Sequence, residues 1–147
     1  MKQVHKSAQS GTVLVEFAIV LPLMVTMFLI IVDLGFVLRE HQILQNAARE
    51  GARVSALPAN WINPVNPAAK ADTIKQVVVA YMAQENITVN TSQITVNQQY
   101  PIQVGALTVS GSQVIVTYVR PLFITGTPLL PTPQVTLTGQ AIFRNLY

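Results

Sequence analysis

Cysteine is missing altogether from the 147 residues, and charge is scarce. The missing cysteine excludes a disulfide framework, thiolate metal sites and a cysteine nucleophile. It leaves the redox compartment open. Lys, Arg, Asp and Glu make up 10% of the chain, against roughly 25% in an average soluble domain. Nine basic residues face six acids, and two of the nine, Lys2 and Lys6, stand at the extreme N-terminus. The other seven nearly balance the acids, so no basic stripe remains for a phosphate backbone and no nucleic-acid partner is expected. Histidine occurs twice, at His5 and His41, on either side of a long apolar segment, where the pair cannot share a metal. Beyond residue 57 there is no His, and the only acids are Asp72 and Glu85. That excludes most acid–base pairs and hard-metal cages in the C-terminal half. No phosphate-binding glycine loop is present, and Ser110 and Ser112 have no base beside them in sequence and read as turn residues. No catalytic residue, metal site or cofactor is expected, and the chain does not read as an enzyme.

Hydrophobic residues, in contrast, make up half the chain, and mean hydropathy is +0.42. Much of this lies in one run. Thr12 to Leu38 reads TVLVEFAIVLPLMVTMFLIIVDLGFVL, with Glu16 and Asp33 its only charges. As a helix it reaches ~40 Å at ~1.5 Å per residue, enough to cross a bilayer, which needs about 20 residues. Lys2, His5 and Lys6 precede it without an acid, and Arg39 and Glu40 follow it with one charge of each sign. The positive-inside tendency places the N-terminus in the cytoplasm and residues 39–147 outside. A secretory signal peptide has a shorter apolar stretch and a small-residue cleavage site after it; neither is found here. Asp33, one turn from the outer end, reads as an interfacial carboxylate reaching water. Pro22 lies inside the span, removes one backbone hydrogen bond and is expected to kink the helix.

A different processing pattern lies before the apolar run. Ser10-Gly11-Thr12-Val13-Leu14-Val15-Glu16-Phe17 joins a short basic leader ending in Gly to an apolar helix, with a lone Glu five residues past the Gly. This resembles the class III signal of type IV pilin-like proteins. Glu16-Phe17-Ala18-Ile19-Val20-Leu21-Pro22-Leu23, followed by Gln45-Asn46-Ala47-Ala48-Arg49-Glu50-Gly51-Ala52-Arg53, resembles the TadE-like family. Its members are pseudopilins or minor pilins of tight-adherence, Flp-type pilus systems. The likeness covers about Gly11 to Val54; beyond it only the order of elements is similar. The resemblance implies cleavage by a prepilin peptidase between Gly11 and Thr12, which leaves the apolar helix in the mature protein. It also implies that Glu16 serves as a register pin in assembly. A carboxylate in a membrane helix is costly and usually paired, and the new α-amine of Thr12 is a suitable partner. The alternative is a Glu16 near the interface, snorkelling to water.

The helix is expected to continue outside the membrane to Leu57, since Pro58 is the first Pro after Pro22. In this outer part Ala47, Gly51 and Ser55 form one row at i, i+4 spacing, and Ala48, Ala52 and Ala56 form the next. Small residues let another backbone approach closely. The rows serve either as a contact between subunits or as the bed for the protein's own C-terminal domain. Residues 58–67, PANWINPVNP, form a loop with the only Trp, Trp61, read as a plug for a small core. Asn66 and Pro67 read as N-cap and first residue of a second helix, which Ile74, Val77, Val78, Tyr81 and Met82 carry amphipathically to about Glu85. After Ile87 the period changes to two. The expected strands are Thr88–Val89, Ile94–Gln99, Ile102–Val109, Gln113–Val119 and Gln134–Phe143, with a hairpin turn at Ser110-Gly111. Thr, Val and Gln along them suit an antiparallel sheet with one wet face. Residues 121–133 form an apolar loop whose Leu122, Phe123, Leu129 and Leu130 cover the sheet's edge or make a contact patch.

The expected molecule is thus α+β and pilin-like. It comprises a cleaved leader (1–11), a membrane helix (12–38), its outer extension (39–57) and an extracytoplasmic domain (58–147) with an amphipathic helix and an antiparallel sheet. The resemblance implies a single-pass protein of the bacterial inner membrane, which can also enter a surface pilus. The implied partners are a prepilin peptidase, other pilins or pseudopilins, the pilus assembly platform and the lipid bilayer. Two other readings stay open: a major structural pilin, and an uncleaved membrane-anchored binding module.

Overall fold

In the computed structural model, residues 5–57, 67–122 and 133–145 are described. One helix dominates. Helix α1 runs from His5 to Ser55 and passes unbroken through Gly11, Thr12 and Pro22. Pro22 has no N–H to give to the carbonyl four residues back. The Thr26 hydroxyl donates to the Pro22 carbonyl at 2.8 Å, the i−4 back-bond by which a Thr inside a helix settles its own hydroxyl. Helix α2 spans Pro67–Gln84 with Pro at its first position, where the absent N–H costs nothing. It ends through Asn86, which takes the left-handed conformation (φ 60), while Ile87 N–H donates back to the Met82 carbonyl at 3.0 Å. This is a helix-ending motif that Asn tolerates better than most residues.

Three strands follow: β1 (Ile94–Val104), β2 (Leu107–Pro121) and β3 (Gln134–Arg144). They form one antiparallel sheet in the order β1-β2-β3. The expected α+β architecture is therefore present: a long apolar helix, a second helix and an antiparallel sheet.

The strand boundaries differ from the sequence reading in three ways. Thr88–Val89 forms no strand; this extended segment leads into a single turn at Thr91–Gln93, and Val89 is buried. The expected strand Ile94–Gln99 and the first part of the expected Ile102–Val109 form one strand, β1, with a shift of register between Asn97 and Tyr100, while Leu107 to Val109 already belong to β2. The hairpin turns at Gly105-Ala106 and not at Ser110-Gly111. Val104 faces Leu107 across the turn, and Gly105 has φ +63, which glycine adopts at no steric cost. Ser110 and Gly111 lie inside β2, opposite Pro101 and Tyr100. Gly111 is needed there because a β-carbon would overlap the Ile102 side chain and crowd the Phe143 carbonyl.

The core lies where α1 crosses the sheet. Leu44, Ala47, Ala48 and Ala52 of α1 meet Ile74, Val78 and Met82 of α2 and Val114, Val116, Leu137 and Ala141 of the sheet. Each of the fully buried Leu, Ile, Val and Met side chains among them contributes roughly 1.5–3 kcal/mol. The approach is closest at Gly139 of β3, where a β-carbon would collide with the Leu44 carbonyl of α1. Gly51 plays the same part on the helix, since a β-carbon there would strike Val78. At the C-terminal end of α1 the buried Lys70 ammonium donates to the Leu57 carbonyl at 3.1 Å, a cation placed at the negative end of a helix. The expected loops' residues 58–66 and 123–132, with Trp61, Asn66, Phe123, Leu129 and Leu130, lie outside the described residues.

Candidate functional site

The surface of α1 divides sharply at Asp33. From Gly11 to Val32 every residue is exposed, among them Leu14, Phe17, Ile19, Leu23, Met24 and Phe28. The most apolar 18-residue window of this helix has a mean hydropathy of 2.6 and no part of it is buried in the fold. An exposed all-round apolar helix is built for a non-aqueous environment. The chain thus carries one single-pass membrane anchor by length and composition. Gly11, Thr12 and Glu16 all stand on this exposed stretch, with Glu16 its single carboxylate before Asp33.

The small-residue rows stand elsewhere. Ala47, Ala48, Ala52 and Ser55 have no exposed surface, and Gly51 and Ala56 are buried. Ala47, Ala48 and Ala52 pack in one core with α2 and the sheet of their own chain, and Gly51 lies against Val78 and Val114. In this structure the rows are a bed for the domain and offer no surface to another subunit.

Between these two regions a buried ion cluster ties the helix to the sheet. Arg120, next to last in β2, lies 2.9 Å through Nη1 from Asp33 Oδ1 and 3.1 Å through Nε from Glu40 Oε2. Nη1 also donates to the Asp33 backbone carbonyl at 3.2 Å, and the guanidinium lies 5.7 Å from the centre of the Phe36 ring, within cation–π range. Asp33 and Arg120 are 3% and 4% exposed. Asp33 therefore does not reach water; it is held from across the domain. The sequence reading missed this because the partner is 87 residues away. The available signal was Arg120 itself, the only basic residue between Lys75 and Arg144, set at the end of an apolar strand.

Two acids share one guanidinium here, and Glu40 shows it. Burial pushes its carboxyl above the usual value of 4.5, the charges of Arg120 and Arg39 pull it back in part, and Asp33 raises it further. Arg39 in turn pairs with Glu85 just past α2 at 3.2 Å, an exposed bond of small net worth. Among the described residues no three His, Asp or Glu side chains gather as a metal site.

Residues 11–53 match the family model described as TadE-like protein. No curated protein and no solved structure matches the chain. The matched segment takes in the exposed apolar stretch of α1, the part from Asp33 to Glu40 and most of the small-residue bed. The family is pilus-associated and structural rather than enzymatic.

Proposed function

We propose that this chain, TadE-like through its long helix, is a pseudopilin or minor pilin of a tight-adherence-type pilus and acts in pilus assembly or initiation. The observation that carries the reading is the match of residues 11–53 to that family on a helix whose apolar surface is bare from Gly11 to Val32. In this proposal the protein sits in the inner membrane with its N-terminus in the cytoplasm. A prepilin peptidase cuts between Gly11 and Thr12, and the new Thr12 amine and the Glu16 carboxylate pair within or between subunits. A lone carboxylate in a membrane helix is costly unless paired, which gives Glu16 a reason to prefer one register among neighbours. Contacts with other pilins and with the assembly platform fall on the bare stretch of α1, since the rows headed by Ala47 and Ala48 are already covered. Pro22 lies within that stretch, and a bend there would adapt the helix to its neighbours.

The deciding experiment is N-terminal sequencing and intact mass of the protein from its native membrane. A chain starting at Thr12 supports the reading. A chain still starting at Met1, in cells with active prepilin peptidase, overturns it and leaves an uncleaved anchored module. Glu16→Ala should lower incorporation into assembled pili while leaving membrane insertion intact; equal incorporation of variant and wild type would remove Glu16 from the mechanism. Abundance in sheared fibres separates the minor role from that of a major pilin, which would dominate them.

A further inference from the structure

The length of the bare helix sets a constraint on where the membrane lies. Between the carboxylates of Glu16 and Asp33 stand the 16 residues Phe17 to Val32. At ~1.5 Å per residue they reach only ~24 Å, short of the hydrocarbon layer of ~30 Å. One of the two carboxylates therefore lies at hydrocarbon depth whenever α1 spans a bilayer. The structure distinguishes them. Glu16 is exposed on the helix surface, whereas Asp33 is covered and its charge is met by Arg120. Past Asp33 α1 still presents apolar side chains, with Leu34, Phe36 and Leu38 exposed. Phe17 to Leu38 reaches ~33 Å, which matches the layer.

We infer that the Arg120 end of the sheet is seated in the outer membrane–water boundary, so that the domain touches lipid through the end of β2 as well as through α1. The occupant of this surface is the bilayer, because the surface continues the lipid-facing flank of the helix without a gap: Arg120 is in contact with Asp33, and Pro121 follows, exposed. Leu122 N–H donates to the Pro133 carbonyl at 3.1 Å, which settles one polar group at that end. The chain has no ionisable side chain from Pro121 to Phe143, so the strands leaving and returning at this end bring no charge to desolvate. Ion pairing inside the protein is how a membrane accepts an acid at this depth; Arg120 is the residue that lets the span run past Asp33.

The inference rests on α1 crossing a bilayer and not on pilus assembly or cleavage. The cysteine-free chain allows single nitroxide labels on the full protein in phosphatidylcholine–phosphatidylglycerol vesicles. Labels at Leu38→Cys and Pro121→Cys should collide more with oxygen than with a water-soluble nickel chelate, and a label at Arg49→Cys should show the reverse. If Leu38 behaves like Arg49, the span ends before Asp33 and the inference falls. It falls equally if Leu38 is deep and Pro121 is in water, since the helix then spans without seating the sheet. Arg120→Gln should shift the Leu38 label toward the nickel reagent; an unmoved label would overturn the part given to Arg120. Should that variant fail to fold, the unsubstituted measurements still decide.

Discussion

Removing the Arg120 guanidinium takes the ion-pair partner at 2.9 Å from the buried Asp33 carboxylate and the one at 3.1 Å from the half-buried Glu40 carboxylate. Breaking a buried ion pair from one side typically costs about 3–5 kcal/mol, whereas replacing all its members by apolar residues is often neutral. Arg120→Ala should therefore lower thermal stability in detergent micelles far more than the triple change Asp33→Leu, Glu40→Met, Arg120→Met. Similar losses in both would show that the charges are not what holds α1 to the end of β2. Glu40 adds a pH dependence. Its folded pKa is raised above 4.5, mainly by burial, so the folded protein holds that proton more tightly than the unfolded chain. The resulting stability is full below about pH 4.5 and is lost as pH rises through the raised value. Glu40→Gln keeps a neutral group there, so its melting temperature relative to wild type should rise between pH 4.5 and neutrality. A constant difference across that window would show that Glu40 ionises as it does in the unfolded chain.

At the scale of elements, the closest fit is between α1 and β3. A β-carbon at Gly139 would collide with the Leu44 carbonyl, and helix backbone cannot move aside as a side chain can. Gly139→Ala should destabilise by at least the ~1–3 kcal/mol of an overpacked core, read by chemical unfolding of the full chain in detergent. Gly105→Ala is a different case. Nothing stands near its β-carbon, but φ is +63, so the cost is the ~1–2 kcal/mol of a left-handed residue with a side chain. These two glycines also show what sequence periodicity misses. Ser110-Gly111 and Gly105-Ala106 are both plausible turns by composition. The choice falls to packing: Gly111 is required beneath Ile102, and Val104 and Leu107 close the hairpin as a pair.

Over the whole molecule, the apolar helix divides the protein into a folded domain and a bare arm. No part of the most apolar window is covered by protein, so the full chain should stay in the membrane pellet through alkaline carbonate extraction. An Arg in place of Val25, near the middle of the span, costs ~2.5–3.5 kcal/mol at a helix centre on insertion scales and should move a measurable fraction out of the membrane. If Val25→Arg is retained like wild type, the arm is not held by lipid alone.

The anchor, the two helices and the antiparallel sheet were legible in the residues, because apolar runs, helical spacing and period-two alternation are local properties. The TadE-like segment was legible for the same reason, being contiguous. The tertiary structure decided what depends on residues far apart in sequence. It covered the rows of Ala47 and Ala48, which alone suited a subunit contact as well as an internal one. It set the turn at Gly105. It also took Asp33, which the chain presents as an ordinary interfacial acid, and paired it with Arg120 from the end of β2. No local pattern encodes that pairing, since it exists only once the sheet has folded back along the helix and removed both charges from water.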